Sequence, residues 1–327
     1  MARMRVGLVM GLFVVACGAR TGLSLQDAGP HDAAPCPVSA QPWLVFDLFR
    51  PTHEPFAGIY ALRADGTEGH AVVLPDARVL YPAFTRDGAS MLYVAFNDMG
   101  SSLIVLDLAT GARRVLATGA EIATSAVSPD GHAVAYTAHL DIRVVDWDGT
   151  NDRVLVAGPF DAGCCSWGYG HPRFTADSRT VVFATAGRTE SIGLDGGGRR
   201  LLLSEDFVML LFPNVAFSPD GSRVAISAAC GGELALRIYP FASLPAPCAS
   251  GMRLTTVTEA FAGNQSSNPA WTRGGSPAGL ISYAADNDVF VIDAAGGVPR
   301  NLTATLTTGG SGSANDAVWA PACAMLP

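Results

Sequence analysis

Tyr81, Thr124, His171, Asn214, Asn268 and Asp316 follow one another at intervals of 43, 47, 43, 54 and 48 residues, and each is polar or amphipathic. Brought to one axis, their hydroxyl, imidazole, carboxamide and carboxyl groups would form a collar of hydrogen-bond donors and acceptors. Such a collar holds water, a small polar ligand or a cation, or else it is the solvated wall of a channel with no guest. His171 is the member that titrates near neutrality and is able to ligate a transition metal. Asp316 lies three intervals away from it, so on a closed ring of six the two face each other without pairing.

A recurring phrase sets this spacing. Three residues after each collar position stands an aromatic or apolar residue that opens a turn: Phe84 in FTRDG, Val127 in VSPDG, Phe174 in FTADS, Phe217 in FSPDG, Trp271 in WTRGG and Trp319 in WAPAC. Self-similarity at such a period marks a repeat architecture. The first five turns lead into strand-like runs, MLYVAF, AVAYTA, TVVFATA, RVAISAA and GLISYAA, each followed by a hairpin closed by Asp and Gly, as in IRVVDWDGTNDRVLVA. Each unit therefore predicts four short strands. The 36 glycines and 21 prolines suit many tight turns. A lone four-stranded sheet cannot bury both faces, so the units must pack face to face about an axis. The fold class is all-β, a six-bladed β-propeller of four-stranded blades. Its ends complement one another, because PWLVFDL and IYALRADGTEGHAVVL lack an opening phrase and ANDAVW lacks a following unit. Residues 314–319 are predicted to supply the innermost strand of the blade begun by 41–77, closing the ring through its N- and C-terminal segments and removing a sheet edge.

The SPDG turn between an aromatic-ending strand and an alternating one, followed by I-x-V-x-D before a Gly turn, resembles the TolB-type propeller repeat. Ser128-Pro129-Asp130-Gly131 and Ser218-Pro219-Asp220-Gly221 match in full, Arg86-Asp87-Gly88 and Ala176-Asp177 in part, and Trp271 and Trp319 keep only the aromatic. The resemblance covers residues 41–319. It implies a six-bladed ring with a central channel, used as a platform for protein partners; TolB itself docks the peptidoglycan-associated lipoprotein. The additional amino-terminal domain of TolB has no counterpart in the short segment ahead of the ring.

Residues 1–16 begin with Arg3 and Arg5 and continue in an apolar run from Val6 to Ala16, too short for a bilayer-spanning helix and suited to a secretory signal. Val14-Val15-Ala16-Cys17 resembles a bacterial lipobox, which implies a diacylglycerol thioether on Cys17 and cleavage before it; an ordinary secretory signal with a chance cysteine is the alternative. Residues 17–40 read as a flexible tether rich in Ala, Gly, Pro and Asp. Gly18, where an Asp is absent, implies sorting to an outer membrane. The expected domains are thus a signal (1–16), a tether (17–40) and a propeller (41–327).

Beyond Cys17 there are six cysteines, an even number for an oxidising compartment. Cys36 and Cys323 flank the two ends of the ring and would lock its closure. Cys230 and Cys248 flank the middle strands of the blade with the longest spacing and would staple it. Cys164 and Cys165 are adjacent and form a vicinal bridge or remain thiols, with a metal or redox role as the sharper alternative. They open the stretch CCSWGYGHPRF, which either rims one mouth of the channel or is an ordinary packed loop.

The net charge of −8, with 21 arginines and no lysine, offers no electrostatic footprint for nucleic acid. The Asp146–Asp152 hairpin has an Asp-rich turn but lacks the closing Glu of a helix-loop-helix calcium site. Gly-x-Ser-x-Gly, Gly-x-x-x-x-Gly-Lys, His-Glu-x-x-His and dinucleotide signatures are missing. No cofactor or metal is implied. The expected protein is a non-catalytic, monomeric, lipid-anchored scaffold that binds an envelope protein or polymer. The alternative is a small-ligand or metal-binding receptor, or an enzyme, built from the channel collar.

Overall fold

The structure is a computed structural model that describes residues 41–49, 57–73, 78–98, 100–158, 170–185, 188–204, 214–256, 268–272, 278–307, 313–322, 324 and 326. The signal, Cys17, the tether, Cys36, Cys164, Cys165 and Cys323 lie outside the described residues, as does most of the CCSWGYGHPRF stretch.

Alternating apolar runs separated by capped turns fold into six four-stranded antiparallel sheets. Blade one holds β1 (Trp43–Phe49), β2 (Ala57–Arg63) and β3 (His70–Val73). Blade two is β4 (Arg78–Phe84), β5 (Ser90–Asn97), β6 (Gly100–Asp107) and β7 (Arg113–Gly119). Blade three is β8 (Ile122–Val127), β9 (Ala133–Ala138), β10 (Asp141–Asp146) and β11 (Arg153–Val156). Blade four is β12 (Gly170–Phe174), β13 (Thr180–Thr185), β14 (Arg188–Gly193) and β15 (Arg200–Ser204). Blade five is β16 (Val215–Phe217), β17 (Arg223–Cys230), β18 (Glu233–Pro240) and β19 (Met252–Thr256). Blade six is β20 (Ala270–Trp271), β21 (Leu280–Ala285), β22 (Asp288–Asp293) and β23 (Arg300–Asn301). The last strand, β24 (Ser313–Trp319), joins blade one beside β1, so the chain is a six-bladed β-propeller closed by both of its end segments. Every inner strand ends on the residue that opens a repeated turn, Phe84, Val127, Phe174, Phe217, Trp271 or Trp319.

One apolar cluster fills each space between neighbouring blades. The cluster between blades six and one places Phe46 and Leu48 against Val289, Val291 and Leu302, and the cluster between blades three and four places Ala135 and Val144 against Val181 and Phe183. Tyr93, Tyr136, Tyr239, Phe46 and Phe183 are fully enclosed, and burying a side chain of that size contributes about 1.5–3 kcal/mol.

The repeated turns are built from hydrogen bonds to one carboxylate. Ser128 Oγ donates to Asp130 Oδ1 at 2.6 Å and the His132 N–H to the same oxygen at 3.1 Å; Ser218, Asp220 and Ser222 repeat the pattern, and Thr175, Asp177 and Arg179 repeat it with threonine. The aspartates of these turns are therefore turn-capping groups. The Asp146–Asp152 hairpin is also a capped turn, in which Thr150 N–H and hydroxyl donate to Asp148 Oδ1 at 2.8 and 2.6 Å. Tyr136 and Arg143 both donate to Asp152 Oδ1 from within the same blade.

Arginines at the start of outer strands reach the next blade. Arg114 of β7 donates to the Trp147 carbonyl and lies over the Trp147 ring, Arg153 of β11 donates to the Leu194 carbonyl at 2.9 Å, and Arg300 of β23 donates to the Ala64 carbonyl. The Cys230–Cys248 disulfide is formed as expected, tying the end of β17 to a single 3₁₀ turn at Cys248–Ser250.

Gly221 measures how tightly neighbouring turns stack, since its φ is +71° and an added Cβ would lie 2.7 Å from the Ala176 Cβ of blade four. Gly111 has φ +72° with nothing within 4 Å. Gly111→Ala is expected to cost about 1 kcal/mol of backbone strain, and Gly221→Ala a further ~1 kcal/mol or more from overpacking, read as the difference in urea midpoints. Equal losses would mean that the turns do not bear on each other.

Candidate functional site

The inner strands carry the site because their ladders break where the collar residues fall. In β4 the register shifts between Leu80 and Ala83, in β8 between Ile122 and Ser125, in β12 between Gly170 and Arg173, and in the β1–β24 pair between Val45 and Asp47. At each break two residues of the inner strand oppose one of its neighbour: Tyr81 with Pro82, Ala123 with Thr124, His171 with Pro172, and Asp316 with Ala317. Such bulges re-aim a side chain and tolerate proline, since the extra residue makes no ladder bond. Tyr81, His171 and Asp316 have φ of 61°, 52° and 45°, a left-handed conformation that costs non-glycine residues about 1–2 kcal/mol each. Strain repeated at one level of the ring marks that level as special.

Tyr81, Thr124, Ser125, Arg173, Asn268 and Asp316, drawn from five of the six blades, line one axial cavity whose empty space, its open mouth included, is about 260 Å³. Four of the six collar residues thus meet at one space. His171 and Asn214 do not line it. Asn214 is 1% exposed, with neither Nδ2 nor Oδ1 partnered among the described residues, and His171 donates its backbone N–H to Thr124 Oγ1 at 3.2 Å while its Nδ1 lacks a partner among them.

The residues that sequence reasoning missed are Arg173, Ser125 and Asp47. Arg173 follows His171 by two positions, and Asp47 lies in β1, one strand out from the axis. Asp47 was visible as the one acid in the apolar run WLVFDLF; it is 3% exposed. Its carboxyl is hydrogen-bonded to that of Asp316, which also accepts from Asn268 Nδ2, and Asp47 accepts the Tyr81 backbone N–H. Asp47 Oδ1 itself is buried without a hydrogen-bond partner among the described residues.

Burial sets the titration of these groups. It raises Asp47 to about 6, against the lowering pull of the Asp316 hydrogen bond, the Tyr81 N–H and the charge of Arg78. It also raises Asp316 well above the carboxylate range, with the Asp47 charge adding to the rise and Arg173 opposing it, so the two acids share one proton near neutrality. Burial, then Asp316 and Asp47, push the Tyr81 hydroxyl above its ordinary value. His171 is lowered to about 3 by burial first and Arg173 second, and is a neutral imidazole. Tyr81, His171, Arg173 and Asp316 nevertheless keep part of their surface open to channel space, and water there softens these shifts. The collar can therefore donate from Tyr81, Ser125 and Arg173 and accept at Asn268 Oδ1. Among the described residues no group of three or more His, Cys, Asp or Glu side chains is arranged to hold a metal ion.

No protein-family model matches the chain, and no curated protein matches it in sequence. Its fold is similar to that of TolB from Acinetobacter baumannii, with a TM-score of 0.69 at 20% identity over 88% of this chain and 68% of that one. It is similar to a chain of a nidogen/laminin complex, with a TM-score of 0.60 at 16% identity over 85% and 98% of the two chains. A TolB-like protein from Agrobacterium tumefaciens gives 0.54 at 13% identity over 86% and 99%. These similarities establish the six-bladed propeller.

The axial groups make opposing contributions to stability as pH changes. Asp47 and Asp316 bind protons more tightly in the fold than at their ordinary value of 3.8, so their contribution is fully present below about pH 4 and is lost as pH rises, through about 6 for Asp47. His171 has the reverse sign, because its imidazolium is disfavoured in the fold: stability is lost as pH falls from about 6.5 toward about 3. Between pH 4 and 6, His171→Gln is expected to steepen the loss of stability with rising pH, and Asp47→Asn to flatten it. Urea midpoints at several pH values check this; identical slopes in all three proteins would show that channel water holds the groups at their ordinary values.

Proposed function

We propose that the chain is a non-catalytic binding scaffold of a bacterial cell envelope, held to a membrane by lipid on Cys17 and the 17–40 tether, and that it presents the mouth of its axial channel to a protein or envelope polymer. The observation that carries this reading is the set of buried polar atoms on and just before the inner strands that no described residue satisfies: Ser125 Oγ and Asn268 Oδ1 at the cavity, and His171 Nδ1 and both amide atoms of Asn214 outside its lining. Each such atom costs about 1–3 kcal/mol if left dry, so water or a guest must satisfy it. About 10 Å³ of the axial space is open to the centre of a water-sized sphere, room for roughly one water, so a small metabolite is not enclosed there. A partner meets the channel at its open mouth, which favours a scaffold over a metabolite receptor.

The axial groups are also arranged to bind rather than to react. The two acids are committed to each other and to Asn268, and the His171 ring has Arg173, not an acid, as the charge that acts on it. Propellers of this shape occur in company with partners, as in the nidogen/laminin complex. The envelope location rests on the signal-like residues 1–16 and the lipobox ending at Cys17.

Two measurements test the proposal. Full-length protein purified from membranes and immobilised is expected to retain an envelope component, with retention falling ~10-fold or more in a variant carrying Tyr81→Ala, His171→Ala and Asn268→Ala together. Retention of nothing would sink the scaffold reading, and equal retention by the variant would move the binding face away from the channel. Cys17→Ser is expected to shift the protein from the membrane to the soluble fraction; an unchanged distribution would remove the lipid anchor.

A further inference from the structure

Arg173 is the axial group that neither the turn chemistry nor the acid pair employs. Its guanidinium has five N–H donors, of which one bond is described, from Nη1 to the Pro172 carbonyl at 2.9 Å. The described ion pairs join Arg63 to Glu68, Arg143 to Asp152, Arg199 to Glu190, and Arg237 and Arg253 to Glu233; Arg173 takes part in none of them. The acid whose charge it feels, Asp316, is held instead by Asn268 and Asp47. Burial draws the Arg173 pKa down from its ordinary value, yet a guanidinium stays charged in proteins. A half-buried cation with most of its N–H donors unpaired favours an anion, and a carboxylate is the partner that matches its planar fork.

We propose that the axial cavity is a carboxylate-binding site centred on Arg173. The charges around it do not forbid an anion: Arg173 is cationic, His171 is neutral, Asp47 and Asp316 share one proton, and Arg78, exposed and close enough to act on Asp47, adds a positive charge from outside the cavity. Ser125 Oγ is unpartnered in the same cavity, and the Tyr81 hydroxyl stays protonated; both can donate to a carboxylate oxygen that the guanidinium does not reach. Asn268 Oδ1 is an acceptor without a donor, so the guest carries an N–H close to its acid group. A peptide supplies both, from an acidic side chain or a chain end beside a backbone amide. This deepens the scaffold reading and rests on it only for the macromolecular source of the carboxylate.

Calorimetric titration of the full-length protein tests the site with three probes: acetyl-Gly-Glu-Gly-amide, the same peptide with Gln for Glu, and glutarate as a free acid. The Glu peptide is expected to bind saturably, glutarate more weakly, and the Gln peptide not at all. Arg173→Gln is expected to lower Glu-peptide affinity at least ~10-fold, as loss of a charged hydrogen bond does, and Arg173→Lys to restore part of it. Should Arg173→Gln fold poorly, Ser125→Ala is expected to give a smaller loss of the same kind. Glutarate binding as tightly as the peptide would keep the site and assign it to a free acid. Equal binding of the Glu and Gln peptides, wild-type binding by the Arg173→Gln and Ser125→Ala variants, or no binding of any probe would overturn it. Wild-type capture of an envelope component by Arg173→Gln would overturn the carboxylate site and leave the scaffold standing, whereas Arg173-dependent binding of glutarate without any captured component would do the reverse.

Discussion

The pairing of β24 with β1 is the constraint on which the molecule depends. A propeller of separate blades would leave two exposed faces and an open strand edge, and each apolar cluster lies between blades rather than within one. Leu44 opposite Trp319 and Val45 opposite Val318 fix the seam, and the Ala320 N–H donates to the Trp43 carbonyl at 2.9 Å. The same strand also reaches back to the last blade, through Trp319 Nε1 to the Ala270 carbonyl at 3.0 Å and the Ala314 N–H to the Asn287 carbonyl at 2.8 Å. One strand thus bonds to the first blade and to the sixth, and buries the side of each that would otherwise meet water.

Around the circumference the same task falls to arginine. Arg114, Arg153 and Arg300 stand in the first two residues of outer strands and each reaches a backbone carbonyl just beyond the third strand from the axis in the following blade. A planar fork can hold such a carbonyl while stacking on a ring, as Arg114 does over Trp147, and a lysine ammonium lacks that geometry. The composition, 21 arginines and no lysine, gave no folding reason for the choice by itself. The blade interfaces provide one at these three positions.

The fold was legible because the turn phrase and the two-residue alternation are local: each needs only its neighbours in sequence to be recognised. Closure was legible too, since PWLVFDL and ANDAVW are complementary fragments of one repeat. The collar was half legible. Counting back from Phe84, Val127, Trp271 and Trp319 finds Tyr81, Thr124, Asn268 and Asp316, which share the cavity, but the same count gives His171 and Asn214, which do not line it. The miss at His171 falls at a bulge, where two residues oppose one and strict alternation is lost, and Asn214 stands one residue ahead of β16, outside the ladder that alternation describes. Strict alternation puts Arg173 on the face of His171, and no periodicity reports that the guanidinium rather than the imidazole reaches the cavity. Asp47 announced itself as an acid within an apolar run, but its partner is 269 positions on in the chain, and only the closed ring brings them together.

That last fact joins the seam to the site. Asp47 belongs to the first strand and Asp316 to the last, and the register break that turns Asp316 inward is a break in the closing pair itself. The shared proton therefore spans the joint between the chain's two ends, while Asn268 of the sixth blade holds Asp316 from the other side. An open ring would separate the two acids and return each to water. Axial binding and ring closure are in this way linked functions: a guest that recognises the assembled groups binds the closed form and not the open one, and so stabilises the seam by the free energy of its own binding.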